Sequence, residues 1–336
     1  MTLSVDSIRF KPYDVDLDRA VRKTVFGDKP RRCWHVCTRT IEGQTGWGDI
    51  APWPGFSESA TEIDRRIHQL ETSISPVQFE QIADMEIWLD GLDLEPVIRF
   101  GLELSFLDLF AQQRGVPIAA LLDPNYATEL SIHALVDSAE TAVSSVEAGA
   151  DAIKVKLSDT WRKDVERIRD IRQAVPLAKI RIDANGAWPE RLAKKRVREL
   201  SELGVDIIEQ PVSGEDIDGL KAVASTCEMT LSADESVCVD AEAVLAIDAL
   251  NEIVLKPMYL GGLVPSYELA QKAYRRGLKV CVTHALESKI GRTGAAHLAA
   301  ASDALKPATH GISGAWNRSA MEIMVPRTPG LGVSVQ

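Results

Sequence analysis

From about residue 129 onward the chain alternates two hydrophobic rhythms. Short β-branched runs (ELSIHALVD, DAIKVKL, KIRIDAN, DIIEQP, TLSADES, EIVLKP, KVCVTH and THGIS) are separated by longer amphipathic stretches such as TWRKDVERIRDIRQAV and PERLAKKRVRELSELG. The latter closes on Gly204, a residue suited to the left-handed turn that stops a helix. Strand followed by helix at this regularity predicts βαβ units and parallel strands. Eight such units in about 190 residues match the count of a (β/α)8 barrel, in full or in a modified form of seven to eight strands. A doubly wound sheet fits the alternation equally well. No G-x-G-x-x-G follows the first strand, however, which counts against the dinucleotide-binding version.

The earlier part of the chain has a different rhythm. VDSIRFKPYDVD and CWHVCTRTIEGQTGWGDIAP predict antiparallel strands around a glycine-containing turn. Two helices follow, around ESATEIDRRIHQLETSI and EPVIRFGLELSFLDLFAQQRG. The expected organisation is an α+β capping domain over residues 1–125, completed by the C-terminal tail 315–336, and a catalytic barrel over residues 126–314. FGDKPRR (26–32) and APWPGFSES (51–59) read as loops able to move.

Charge falls where chemistry would need it. Asp183, Glu209, Asp234 and Lys256 each end a predicted strand beside a turn signal, and a barrel builds its active site at that end. From Lys156 to Asp183 is 27 residues, then 26 to Glu209, 25 to Asp234 and 22 to Lys256, about one βα unit per step. Successive strands would then present Lys, Asp, Glu, Asp and Lys around one mouth. Three converging carboxylates without counterions would repel and raise one another's pKa. A hard divalent cation removes that conflict, and an all-oxygen set suits Mg2+, with Mn2+ as its substitute, better than zinc.

The run IKVKL sharpens the picture. Alternation sends Lys154 and Lys156 to one face of the strand, and Ile153, Val155 and Leu157 to the other. An ammonium beside another ammonium and a cation has a lowered pKa, which makes a usable general base. Lys156 is therefore expected to exchange a proton, with Lys154 tuning it and binding substrate oxygen. Taken singly, an acidic strand end is an ordinary helix cap, and a lysine pair an ordinary solvated edge. The ordered set of five is what argues for a site.

Composition changes the picture little. The 336 residues are 45% hydrophobic and 26% charged, as in a soluble globular protein. A formal net charge of −11 argues against a nucleic-acid surface, although a lysine cluster or a metal can reverse the sign locally. Five scattered cysteines show no zinc spacing and make a disulfide framework improbable. With no signal-peptide pattern and no membrane-spanning run, a cytoplasmic, reduced protein is expected, its oligomeric state open.

In IKVKL, RIDANGAW, IIEQP, SADES and IVLKP the chain resembles the enolase superfamily, specifically its muconate-cycloisomerase-like branch. Sites of that superfamily use a lysine or histidine base with Mg2+ stabilising an ene-diolate. The resemblance implies Asp183, Glu209 and Asp234 as metal ligands, Lys156 as base and Lys256 as stabiliser on the opposite face. It also implies that the 26–32 and 51–59 loops close over a small carboxylate substrate. DANGAW, IVLKPMYLGG, HALESKIGRTGAAHLAAA and GDIAPWPGF look most like the o-succinylbenzoate synthases. That likeness implies dehydration of 2-succinyl-6-hydroxy-2,4-cyclohexadiene-1-carboxylate in menaquinone biosynthesis. The same five residues serve dipeptide epimerases, N-acylamino-acid racemases and cycloisomerases, which stay as the alternative.

In the mandelate-racemase branch a histidine after the seventh strand is the base, paired with an aspartate after the sixth. Here Lys256 holds the aspartate's place, so His284 is expected to be a loop or supporting residue. Glu287 and Ser288 are weaker candidates for the pocket wall. His35, His68, His133, His297 and His310 show no ligand-like arrangement. Two rivals of other classes are a Schiff-base lyase using Lys156 or Lys256, and a catalytically silent scaffold. The carboxylates argue against the first and the complete set against the second.

Overall fold

The computed structural model describes residues 2–15, 17, 25–27, 29–74, 76–158, 160–312, 323–325 and 327–333. Of the tail expected over 315–336, residues 315–322, 326 and 334–336 lie outside the described residues, as does Asp28 in the first loop.

Four strands, β1 (Leu3–Val15), β2 (Arg31–Thr40), β3 (Thr45–Ile50) and β4 (Val77–Phe79), form an antiparallel sheet in the order β3-β2-β1-β4. The β2–β3 hairpin turns at Gly43, whose φ of +87° is the left-handed conformation that the turn requires. Against this sheet lies the helix Pro96–Arg114, buried on nearly all sides from Val97 to Ala111. Its contact with β3 is backbone to backbone. A Cβ on Gly48 would lie 1.8 Å from the carbonyl oxygen of Gly101, so no larger residue fits there.

A two-residue strand, β5 (Glu129–Leu130), leads into the parallel strands. These are β6 (His133–Val136), β7 (Ala152–Lys156), β8 (Lys179–Asp183), β9 (Ile207–Glu209), β10 (Thr230–Ala233), β11 (Glu252–Leu255) and β12 (Lys279–Val282), hydrogen-bonded in chain order. A final short strand, β13 (Ile323–Met324), pairs antiparallel with β5. Helices cover the outer face, and their apolar stripes meet the outward-facing Ile153, Val155, Ile180, Ile182, Ile208 and Leu231.

The expected eighth strand, THGIS, is reduced to two residues. Gly311 N donates to Val282 O at 2.9 Å, and His310 N to Ser131 O at 2.9 Å. His310 thus bridges to Ile132 before β6, and Gly311 to Thr283 after β12, closing the ring of seven strands. The architecture is the expected modified barrel beneath an antiparallel cap.

Candidate active site

Strand register assembles the expected residues. Lys156 pairs with Asp183, Asp183 with Glu209, and Glu209 with Ser232, so Asp234 stands two residues further along β10's path. Lys256 immediately follows β11. Asp183, Glu209 and Asp234 are all but sealed, at 1, 1 and 2% exposure. Such carboxylates need compensating charge. Lys154 supplies it on one side, its Nζ 2.8 Å from Asp183 Oδ2 and 2.7 Å from Glu209 Oε1. Lys256 supplies it on the other, its Nζ 2.6 Å and 2.5 Å from the two oxygens of Asp234. Lys156, on the same strand face as Lys154 and one step nearer the mouth, is exposed.

These contacts set the electrostatics of the two paired lysines. Burial pushes Lys154 down, but the carboxylates of Glu209, Asp183 and Asp234 outweigh it and hold the ammonium well above its usual range. Lys256 is likewise held up, burial being outweighed by Asp234 and Glu235. Both shifts follow from the carboxylates that stand beside each ammonium. Glu209 is the counterpart: burial raises it, and Lys154 with Arg181 pulls it well below the ordinary range.

Three contributors escaped the sequence reading. Arg181, fully buried, donates from Nη1 to Glu209 Oε2 at 3.0 Å and from Nη2 to Glu252 Oε1 at 2.5 Å. The parity that pairs Lys154 with Lys156 also pairs Arg181 with Asp183, and Glu252 shares a face with Lys256, so both were discoverable. Gln210 carried no such signal. Its Oε1 accepts from Asp234 N at 2.8 Å and Ser236 N at 3.2 Å, and its Nε2 donates to Val212 O and Ser236 Oγ. It holds a φ of +39°, a strained conformation for a residue with a side chain, worth about 1–3 kcal/mol, beside the backbone that carries Asp234.

The donor set fits a hard cation. It is all carboxylate, and Glu235 adds a buried oxygen, Oε2, that has no hydrogen-bond partner. As placed, the lysines occupy the carboxylate oxygens. Among the described residues no three acidic, histidine or cysteine side chains converge closely enough to hold an ion. A cation would therefore replace ammonium groups at those oxygens.

The cap reaches the same mouth. Arg31, buried in the first loop region, donates to Pro52 O, Ala51 O and Ala285 O at 3.1, 2.6 and 2.6 Å, and its guanidinium lies over Trp53. One side chain thus joins both expected loops to the segment after β12. Phe56 places its ring centroid 4.3 Å from Lys256 Nζ and stacks on Tyr259. Asp49 accepts from Tyr13 Oη, from N and Oγ of Ser288 and from Gly291 N, at the start of the helix Lys289–Leu305.

The weaker candidates have structural partners. His284 accepts at Nδ1 from Leu286 N. Ser288 caps that helix by accepting from Ile290 N. Glu287 is buried, accepts from Ala285 N, and is pushed up to about 7 mainly by burial.

The family model described as "Enolase C-terminal domain-like" matches residues 137–336, and the chain belongs to the enolase superfamily. A hydrophobic dipeptide epimerase of Enterococcus faecalis is 31% identical over 78% of this chain and 77% of its own. An L-Ala-D/L-Glu epimerase of Bacillus subtilis is 30% identical over 87% and 86%. An o-succinylbenzoate synthase of Geobacillus kaustophilus is 28% identical over 88% and 84%. The crystal structure of a dipeptide epimerase from E. faecalis superposes with a TM-score of 0.87 at 25% identity, covering 99% of this chain and 100% of that one. Its complex with Mg and the dipeptide L-Leu-L-Tyr gives 0.85 at 24%, with the same coverage. Among the described residues no helix is long and apolar enough to cross a membrane.

Proposed function

We propose that this chain is an Mg2+-dependent epimerase of dipeptides, inverting an α-carbon by removing its proton on one side and returning one on the other. The observation that carries this is the placement of the lysines. Lys156 ends the second strand of the barrel and Lys256 follows the sixth. Strands two and six stand opposite each other in a ring closed at an eighth position, with the carboxylate-bearing strands between them on one side. Inversion needs an acid–base group on each face of the reacting carbon, and opposed lysines provide that.

In this reading Asp183, Glu209 and Asp234 hold Mg2+, which when bound supplies Lewis-acid stabilisation of charge developing on the substrate carboxylate. Lys156 takes the α-proton, being the lysine of its pair with no carboxylate partner among the described residues. Lys256 serves the opposite face once Asp234 is engaged elsewhere. Lys154, displaced from the oxygens of Asp183 and Glu209 that the cation takes, tunes Lys156 and meets substrate oxygen. Residues 1–125 act as the cap that encloses the substrate, and 126–314 as the catalytic barrel.

The epimerases, at 31 and 30% identity, support this above the dehydration expected from DANGAW and IVLKP, which the synthase at 28% supports. The synthase reading uses the same lysines and is kept as the second. The test is to incubate the protein with Mg2+ and dipeptides in D2O, following α-deuterium by mass spectrometry and configuration by chiral chromatography. Exchange with inversion is expected. Loss of cyclohexadiene absorbance without dipeptide exchange would instead establish the dehydratase.

A further inference from the structure

One side chain on the inner wall of the barrel is out of keeping with its neighbours. The register of β6 on β7 pairs Leu135 with Lys154. Adjacent partners in a parallel pair point to the same side, so Leu135 faces inward with Lys154, one strand spacing away. The outward-facing Ala134 and Val136 are buried, whereas Leu135 is 62% exposed. Further round the same wall stand Arg181 at the level of Leu135, and Glu209 and Ser232 two residues nearer the mouth, all buried and hydrogen-bonded. A leucine left open at that level adds little to the core.

Across the mouth a second apolar surface appears. Phe56, half-buried, lies over Lys256 and stacks on Tyr259. The two lysine-bearing sides are thus each flanked by an apolar side chain, Leu135 beside the second strand and Phe56 over the sixth. The cation paired in register with Leu135 is Lys154, whose ammonium points away from the leucine, toward Asp183 and Glu209. An acidic substrate side chain laid on Leu135 would lose hydration against an apolar wall. An aliphatic or aromatic one would cover the leucine and remove both surfaces from water.

We infer that Leu135 is a specificity-determining residue. It forms the wall of a subsite that takes an apolar side chain of the substrate, so the substrates are dipeptides with bulky apolar residues. This rests on the dipeptide reading above.

The test uses the full chain loaded with Mg2+ and three probes, L-Leu-L-Leu, L-Ala-L-Ala and L-Glu-L-Glu, with kcat and KM measured separately. For the wild type, kcat/KM for L-Leu-L-Leu should exceed that for L-Glu-L-Glu by roughly 10- to 200-fold, the range a few buried methylenes command. Leu135→Ala should lower kcat/KM for L-Leu-L-Leu about tenfold, chiefly through KM, with a much smaller loss for L-Ala-L-Ala. Leu135→Met should restore the wild-type ranking. Equal losses on all three probes, or a wild type that prefers L-Glu-L-Glu, would overturn the role of Leu135 while leaving an epimerase. Absence of α-deuterium exchange with every dipeptide would overturn the dipeptide reading itself.

Discussion

Nη2 of Arg181 lies 2.5 Å from Oε1 of Glu252, and both side chains are sealed inside the barrel beneath the carboxylates. The same guanidinium holds Glu209, so this pair ties the stability of the barrel floor to the geometry of the site. Glu252→Ala would leave a buried guanidinium half-compensated, and we expect a loss of about 3–5 kcal/mol. Replacing both, Arg181→Met with Glu252→Leu, should cost less than the sum of the single changes, because no uncompensated charge remains on either. Urea titrations of Arg181→Met, Glu252→Leu and the double variant measure this. Additive losses would show that the two side chains are not coupled.

The two proposed bases should separate kinetically. Lys156→Ala removes an exposed side chain, so we expect unchanged stability with exchange slowed about 10²–10⁴-fold. Lys256→Ala should slow exchange comparably, but starting from the opposite epimer. Following deuterium entry from each stereoisomer distinguishes them. A Lys156 variant with full exchange from both isomers would remove it from the mechanism.

Metal binding should register in stability as well as in turnover. A cation bound only by the folded chain at a hundred times its Kd stabilises by about 2.7 kcal/mol. Thermal melts with and without Mg2+ should show that rise. Asp183→Asn should abolish it, as should excess EDTA. A melt indifferent to Mg2+ would count against Asp183, Glu209 and Asp234 as ligands.

His297 should give the protein an acid-sensitive component. Its Nδ1 accepts from Ala119 N at 3.3 Å and its Nε2 faces Leu331 O at 3.1 Å, so the folded state holds the neutral ring, with its pKa pushed down to about 4 by burial. A histidine unfolds to a value near 6.5. Between those values the unfolded chain binds more protons, and the contribution is present above about 6.5 and lost as pH falls toward about 4. Stability measured against pH for wild type and His297→Gln should differ in slope over that window. Parallel curves would mean that the ring titrates alike in both states.

What the sequence made legible followed from periodicity. The eight strand positions, the cap hairpin and the helix Pro96–Arg114 sit where alternation and amphipathic spacing put them. Residues at strand ends were equally visible, because parity and unit length fix which side chains share a rim. The reduction of THGIS to a two-residue closure was not, since pairing depends on both neighbours and not on the run itself. Nor was the lysine electrostatics. The side chain of Lys154 reaches across β8 to Glu209, a contact spanning 55 positions that only the folded register creates. Arg31 and Gln210 act through backbone carbonyl and amide groups, which leave no trace in residue type. Substrate choice has no signature among the shared catalytic residues, which leave it to the walls of the mouth.

The guanidinium of Arg31 and the carboxylate of Asp49 bear on how the chain is made. Their partners lie 254 positions away at Ala285 and 239 away at Ser288. The cap's sheet is synthesised early, and its anchors arrive only when the segment after β12 leaves the ribosome. Loop closure over such separations is entropically costly, so the cap should be among the last parts to lock. Until then β3 and the aromatic residues of the following loop stay open to proteases and to other nascent chains. Pulse proteolysis during refolding would show it as late protection around Arg31 and Trp53, and early protection there would mean that the cap folds on its own.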